Sequence, residues 1–487
     1  MLIRGCEIDG VPRDVRIAAG RIATIAPALA AAPGEPVREA RRGALLPGLN
    51  DHHAHLFAAA AALRSVHCGP PHVRDAAALG AALAAAGGDG WLRGVGYHES
   101  VAGPLDRRAL DRFVPDRPAR VQHRSGACWV LNGAAIAQLG LDAGVDAIGV
   151  ERDAAGRATG RLFRLDAWLR ERVPREAVSL RALSQRLARC GVSGVTDAGA
   201  DNDASTLAAF TAARARGELL QRVRVMGSEA LPEASGDVES AELKILLDER
   251  ALPELSALRD RIARAHHARR AVAIHCVTRA ELLFALAALG DAGTIPGDRL
   301  EHASVAPPET IPRIRELGLT VVTQPSFIAE RGDQYASDVE LADRPWLYRA
   351  RAFLAAGVPL AAGSDAPYSE PDPWRAMRAA CRRRSEGGRS LGSAEALTPE
   401  EALALFTSPL AEPWAPPPRL APGAPADLCL LRAPWSHARR ELSAALVAVT
   451  WRAGAVIWDE ACSAAGPCAQ REAPARSAPG EASGVEP

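Results

Sequence analysis

The densest chemistry in this 487-residue chain is Asp51-His52-His53-Ala54-His55, which closes an apolar run. Side chains alternate across a strand, so Asp51, His53 and His55 share one face and His52 points away. Two imidazoles at i and i+2 can grip one metal ion, since neutral imidazole is the commonest side-chain metal ligand. The plainer alternative is a hydrogen-bonded histidine pair. His275, His302 and Asp365 each stand near the C-terminal end of a separate apolar stretch. A lone histidine in VAIHC is ordinarily a core residue with a polar partner. Three such placements in one chain point to a shared site. Gly363-Ser364-Asp365-Ala366-Pro367 lets the backbone turn sharply and presents Asp365 at a rim, although a helix N-cap would use an aspartate equally well.

Of the 58 lysines and arginines, only Lys244 is a lysine. It sits in the apolar stretch ELKILL, and a buried lysine is costly unless paired or neutral. A buried amine beside a metal can take up CO2 as a carbamate, an anion with two oxygen ligands. Arginine cannot, because its guanidinium stays protonated. A chain this depleted in lysine that keeps one here is expected to use the amine. The bland reading is a chance survivor paired with a carboxylate such as Asp248. Two cations held close together would polarise a carbonyl and make hydroxide from a bridging water near neutral pH. Asp365 is then placed to take a proton and return it to a leaving nitrogen. The expected reaction class is metal-assisted hydrolysis of a polar C–N bond.

Bringing these residues together requires parallel strands. Eight buried-type strands are expected at 44–56, 192–199, 222–228, 242–247, 271–277, 299–305, 319–326 and 358–367. Helical stretches such as LRDRIARAHHA and AELLFALAAL separate several of them. Strand–helix alternation implies parallel strands joined by crossovers, and eight such units make a (β/α)8 TIM barrel whose strand C-termini carry the chemistry. The barrel is expected over 47–411, with an insert subdomain at about 57–191 after the first strand, carrying WLRGVGY and ARVQHRSG. Residues 1–46 and 412–460 alternate apolar and polar residues between Gly and Pro breaks. They are expected to form one small β-sandwich from both termini. Residues 461–487 are rich in Pro, Gly, Ala and Ser with no apolar period, and are expected to be a disordered tail.

Composition excludes several classes. Hydrophobic residues make up 48% and charged residues 24%, an ordinary globular balance. The formal net charge is zero, which removes the electrostatic case for nucleic acid or an anionic membrane. No run approaches the ~18 apolar residues of a membrane span. No secretory leader is visible, and nine scattered cysteines without a CxxC suit reduced thiols in a cytoplasmic protein. The expected partner is a small-molecule substrate, with a homodimer left open.

The chain resembles the amidohydrolase superfamily, specifically its amidohydrolase 3 (YtcJ-like) branch of metal-dependent hydrolases. The likeness spans about 1–460 and rests on LLPGLNDHHAHL, RGVGYHES, the 104–132 segment, TGRLF, GVTDAG, RLEHA, LAAGVPLAAGSDAP and PGAPADLCLL, in that order. It implies a metal-bearing barrel with a β-sandwich. It also implies metal ligands at His53, His55, Lys244, His275, His302 and Asp365, with Asp365 and His302 acting on the substrate. The implied split places His53, His55 and Asp365 on one ion and His275 and His302 on another, with Lys244 between them as a carbamate if two ions bind. The expected metal is zinc, as one or two ions.

Three segments depart from the branch pattern. Ser125-Gly126-Ala127 stands for SGH, His275-Cys276-Val277-Thr278-Arg279 for HxxGD, and Leu247-Asp248-Glu249-Arg250 for the DGxxGS loop. The substrate pocket is therefore expected to differ. Candidate substrate contacts are Tyr97, His98, His123, Arg124 and Trp129 from the insert, Arg279, and Gln324 and Ser326 after the seventh strand, each with a structural role equally open. Arg124 and Arg279 would suit a carboxylate. The expected activity is hydrolysis of a linear or cyclic amide. The alternatives are deamination of a heterocycle and a catalytically degraded member that only binds a small molecule. Removing 461–487 is expected to leave the melting temperature and activity unchanged, checked by a thermal melt of the truncated protein.

Overall fold

The computed structural model describes residues 1–463, apart from 71, 89, 146 and 175–177. Its centre is a sheet of eight strands: Leu49–Ala54, Val192–Asp197, Arg222–Gly227, Val238–Ile245, Val272–Cys276, Arg299–His302, Thr320–Thr323 and Leu360–Ala362. Neighbours in this order pair in parallel throughout. Each strand overlaps its expected stretch, although the fourth starts earlier than expected, at Val238, and ends at Ile245. Their outward residues, among them Val195, Val223, Ile274, Leu300 and Val321, pack against Phe210, Ile262, Leu289, Ile314 and Phe353 of the surrounding helices. The link from the third to the fourth strand, 228–237, carries no helix.

The eighth strand meets the first through backbone bonds from Asp365 to the His53 carbonyl (2.7 Å) and from His55 to the Ala366 carbonyl (2.8 Å). A side chain secures the seam. Asp51 accepts from the Ser364 amide at 2.9 Å and from the Ser364 hydroxyl at 2.6 Å. Closure is tight at Gly363, where a Cβ would lie 2.4 Å from the His53 nitrogen. Only glycine lets the two strands come this near.

Both chain ends build the second unit. Strands Arg21–Ala26, Val11–Ala18, Leu2–Ile8 and Val37–Glu39 make one four-stranded sheet; Ala455–Asp459, Val447–Arg452, Leu428–Leu431 and Leu45–Pro47 make the other. Ile3, Val15, Ile17 and Ile22 from the first share a core with Leu428, Leu430, Val449 and Trp451 from the second. This is the β-sandwich of both termini. The insert after the first barrel strand carries a six-stranded sheet running from Val66–His67 to Val150–Arg152, with two apolar clusters of its own. No described helix is long and apolar enough to cross a membrane. No disulfide joins any of the eight described cysteines. Residues 461–463 of the expected tail belong to a short helix, Glu460–Ser463, and the rest of it lies outside the described residues.

Gly363→Ala should lower unfolding free energy by about 1–3 kcal/mol through overpacking at the seam. Denaturant melts check this; an unchanged midpoint would contradict the tight closure.

Candidate metal centre

The first strand delivers His53 and, just past its end, His55. His53 is held by Glu301: its Nδ1 contacts the Glu301 carboxylate, and both side chains are buried. Nδ1 therefore carries the proton and Nε2 presents a lone pair. Glu301 is in turn anchored by the buried Arg299, which also donates to the His52 carbonyl at 2.7 Å. Arg299 and Glu301 sit at i and i+2 of the sixth strand and so share its inner face. Burial works against the Glu301 charge, but Arg299 and then Lys244 hold its carboxyl well below the usual range. His52 faces the other way, its Nε2 3.0 Å from the Ser408 hydroxyl.

His302 directly follows Glu301, and regular strand geometry would turn it outward. It instead adopts φ 71°, followed by Ala303 at φ 43°. This left-handed step swings the imidazole back over the barrel, with its ring 4.9 Å from His53 and 4.5 Å from His275. Gln324 fixes its tautomer. The Gln324 Nε2 donates to the Val322 carbonyl, so its Oε1 faces His302 Nδ1 at 2.6 Å and leaves Nε2 open. Asp365 is also left-handed, at φ 55°. Such conformations cost about 1–3 kcal/mol each in a non-glycine residue and cluster at functional sites.

Asp365 Oδ1 lies 3.2 Å from His55 Nε2 and 3.5 Å from His53 Nε2, with no hydrogen bond aligned to it. The ligand atoms of His53, His55 and Asp365 all fall within 4.8 Å of one another. Three donor atoms thus converge without a proton aligned between them, the arrangement a divalent cation completes. Burial and then the charge of Lys244 push His53 down to about 3, and burial takes His275 well below and His302 below the ordinary imidazole value. Neutral imidazole is the form that binds metal. Burial opposes the Asp365 charge, yet His55, His53 and His302 hold its carboxyl below the usual range.

Lys244 points into the same interior from the fourth strand. It is 1% exposed and its Nζ has no hydrogen-bond partner among the described residues. Burial lowers its pKa. The structure therefore brings together His53, His55, Lys244, His275, His302 and Asp365.

A profile of the amidohydrolase family matches residues 37–458. The chain belongs to the amidohydrolase family. It is a hydrolase acting on carbon–nitrogen bonds. The chain is 27% identical over 466 residues to the N-substituted formamide deformylase of Arthrobacter pascens, an alignment covering 81% of this chain and 84% of that one. It is 26% identical over 374 residues to the Bacillus subtilis (strain 168) protein YtcJ, itself assigned as an amidohydrolase, covering 65% and 69%. Among solved structures, a metal-dependent hydrolase from Pyrococcus horikoshii OT3 superposes with TM-score 0.69 at 20% identity, over 89% of this chain and 97% of that one. The zinc complex of atrazine chlorohydrolase TrzN from Arthrobacter aurescens TC1 superposes with TM-score 0.55 at 14% identity, over 94% and 95%. These two likenesses carry the fold.

Several expected substrate contacts of this amidohydrolase lie elsewhere. Tyr97 is buried in the insert core and donates to the Gly103 carbonyl at 2.6 Å. Trp129 is buried between Arg93 and Arg120, its indole donating to Asp166 at 2.8 Å. Both aromatics fill the insert's own cores, which needed large apolar side chains more than the mouth did. Arg279 pairs with Asp343 at 3.2 Å on the surface. His98 accepts from the Ser100 amide at the start of a short helix. Gln324 reaches the site, but through His302. Ser326 opens the helix after the seventh strand, its hydroxyl buried and unpartnered. Arg124 and His123 line a cavity beside the centre.

The sequence reading missed Glu301, Arg299 and the Asp51–Ser364 seam. The signal was an Arg-x-Glu at i and i+2 that opens the sixth strand. Glu301→Gln should weaken metal binding about 10- to 100-fold by freeing the His53 ring, measured by competition with a chelating dye on folded protein. Tyr97→Phe should leave metal affinity unchanged. Equal affinity for Glu301→Gln and wild type would contradict the positioning role.

Proposed function

We propose that this amidohydrolase cleaves a linear amide, an N-acyl or N-formyl compound, with zinc bound by His53, His55 and Asp365. The observation that carries this reading is the convergence of His53 Nε2, His55 Nε2 and Asp365 Oδ1 on one point. Nitrogen and carboxylate donors in that number suit zinc. His275 and His302 supply a second pair of imidazoles, and Lys244 is buried in the same interior. The orphaned Lys244 Nζ supports a carbamate: the amine would add to CO2 and lose one proton, giving an anion whose two oxygens share one negative charge and could serve as metal ligands. The name of the Arthrobacter pascens relative supports the choice of a linear amide.

A divalent ion held there would polarise the amide carbonyl and lower the pKa of water. Asp365, an anion at rest, takes the proton from the attacking water and delivers it to the leaving nitrogen. Addition of one water across the C–N bond yields a carboxylic acid and an amine. His302, oriented by Gln324, would face the substrate carbonyl. Burial excludes bulk water and strengthens each of these contacts.

Lys244→Arg should fail as badly as Lys244→Ala, because a permanent cation cannot supply the bridge. Bound metal should fall from about two ions toward one or none. A short carboxylic acid added to Lys244→Ala should restore part of the activity. A fully active, fully metallated Lys244→Arg protein would defeat the carbamate. Asp365→Ala should abolish turnover with the circular dichroism spectrum intact; near-wild-type activity would remove its proton-transfer role.

A further inference from the structure

A cavity of about 270 Å³ lies between insert and barrel beside the metal centre. Its wall includes Ala366, Pro367 and Tyr368, which directly follow Asp365. The Tyr368 ring stands edge-on to His55 at 5.8 Å. Four arginines and three glutamates face this space. Arg186 pairs with Glu370, and Arg375 with Glu386 at 2.9 Å and Glu330 at 3.9 Å. Burial raises the Glu330 carboxyl to about 7.

Two cations are left over. Arg331 lies 3.9 Å above the Phe327 ring and spends one nitrogen on the Tyr368 and Arg124 carbonyls, at 2.7 and 3.4 Å. Its Nε is buried without a partner. The guanidinium of Arg124 makes no hydrogen bond and has no carboxylate within 4.0 Å among the described residues. Burial and then the positive charge of Arg331 push Arg124 down to about 10. Two half-buried like charges without counter-ions are unfavourable in the free protein.

The turn that carries Arg124 is held in place. The Arg124 amide donates to the Tyr97 carbonyl at 2.8 Å, and Gly126 to the His123 carbonyl at 2.9 Å. Gly126, at φ 75°, packs so closely on Tyr368 that a Cβ would come within 2.5 Å of the ring. Arg124 is thus fixed over the residue that borders His55.

We propose that Arg124 binds a carboxylate of the substrate in this cavity, so that the bond cleaved at the metal centre belongs to an anionic amide. This rests on the amide-hydrolase reading above. The guanidinium fork matches a carboxylate in two parallel hydrogen bonds, and Arg331 adds charge behind it. The cavity's modest volume suits a small acid.

Matched pairs of N-acyl amino acids and their C-terminal carboxamides, assayed with the metal-loaded full chain, test the proposal. The acid should be preferred at least about tenfold in kcat/KM. Arg124→Gln should erase the preference, and Arg124→Lys should retain part of it. Equal rates for acid and carboxamide, or a preference that survives Arg124→Gln, overturns the proposal. If Arg124→Gln melts early, the wild-type preference and its reduction in Arg124→Lys decide alone. Benzoate binding by calorimetry separates this inference from the reaction itself. If no amide is turned over, the amide reading fails. Benzoate bound at least about tenfold more tightly by wild type than by Arg124→Gln still supports the anion site. Equal or absent binding overturns it.

Discussion

A carboxylate with no access to water must be matched by positive charge or it will not stay ionised. Glu301 is such a group, and the centre of the barrel is organised around it. Arg299 meets it from two residues away on the same strand. The same arginine reaches the His52 carbonyl, and the same glutamate holds His53. One buried network therefore sets both the path of the first strand and the rotation of its ligating histidine. Removing one member would strand a buried charge, a loss of about 3–5 kcal/mol. The ligands can be positioned closely because their supports cannot relax into solvent.

The barrel was legible because its strands are short buried-type stretches alternating with helical patterns, and His53, His275, His302 and Asp365 stand near their C-terminal ends. The supports were less legible. Arg299 and Glu301 read as polar interruptions of a strand, and only the closed barrel shows that both face inward. Asp51 shares a face with His53, yet the seam with Ser364 claims its carboxylate. The left-handed turns at His302 and Asp365 have no sequence signature, since neither residue is glycine. Tyr97 and Trp129 were candidate contacts because they belong to the insert, with a structural role equally open. Here the insert has two cores to fill, and burying a large aromatic there is worth about 1.5–3 kcal/mol.

The departures from the branch pattern leave the metal-facing residues in place. The segment that reads SGA ends in Ala127, and its Gly126 accepts the face of Tyr368. Tyr368 thereby joins the insert to the loop after Asp365 and borders both the metal centre and the cavity. The fifth-strand segment places Val277 and Arg279 at the surface, the latter paired with Asp343. The metal-facing residues are unaffected by either change, because they are held from below by the strands and not from above by the insert.

The central claim is that the buried network holds His53, His55 and Asp365 ready for one ion. An anomalous difference map from crystals of the zinc-loaded protein, recorded at the zinc edge, tests it most directly. The account predicts a strong peak at about 2.0–2.2 Å from His53 Nε2, His55 Nε2 and an Asp365 oxygen. A map with no peak among these three side chains, or with zinc bound only elsewhere, would contradict it.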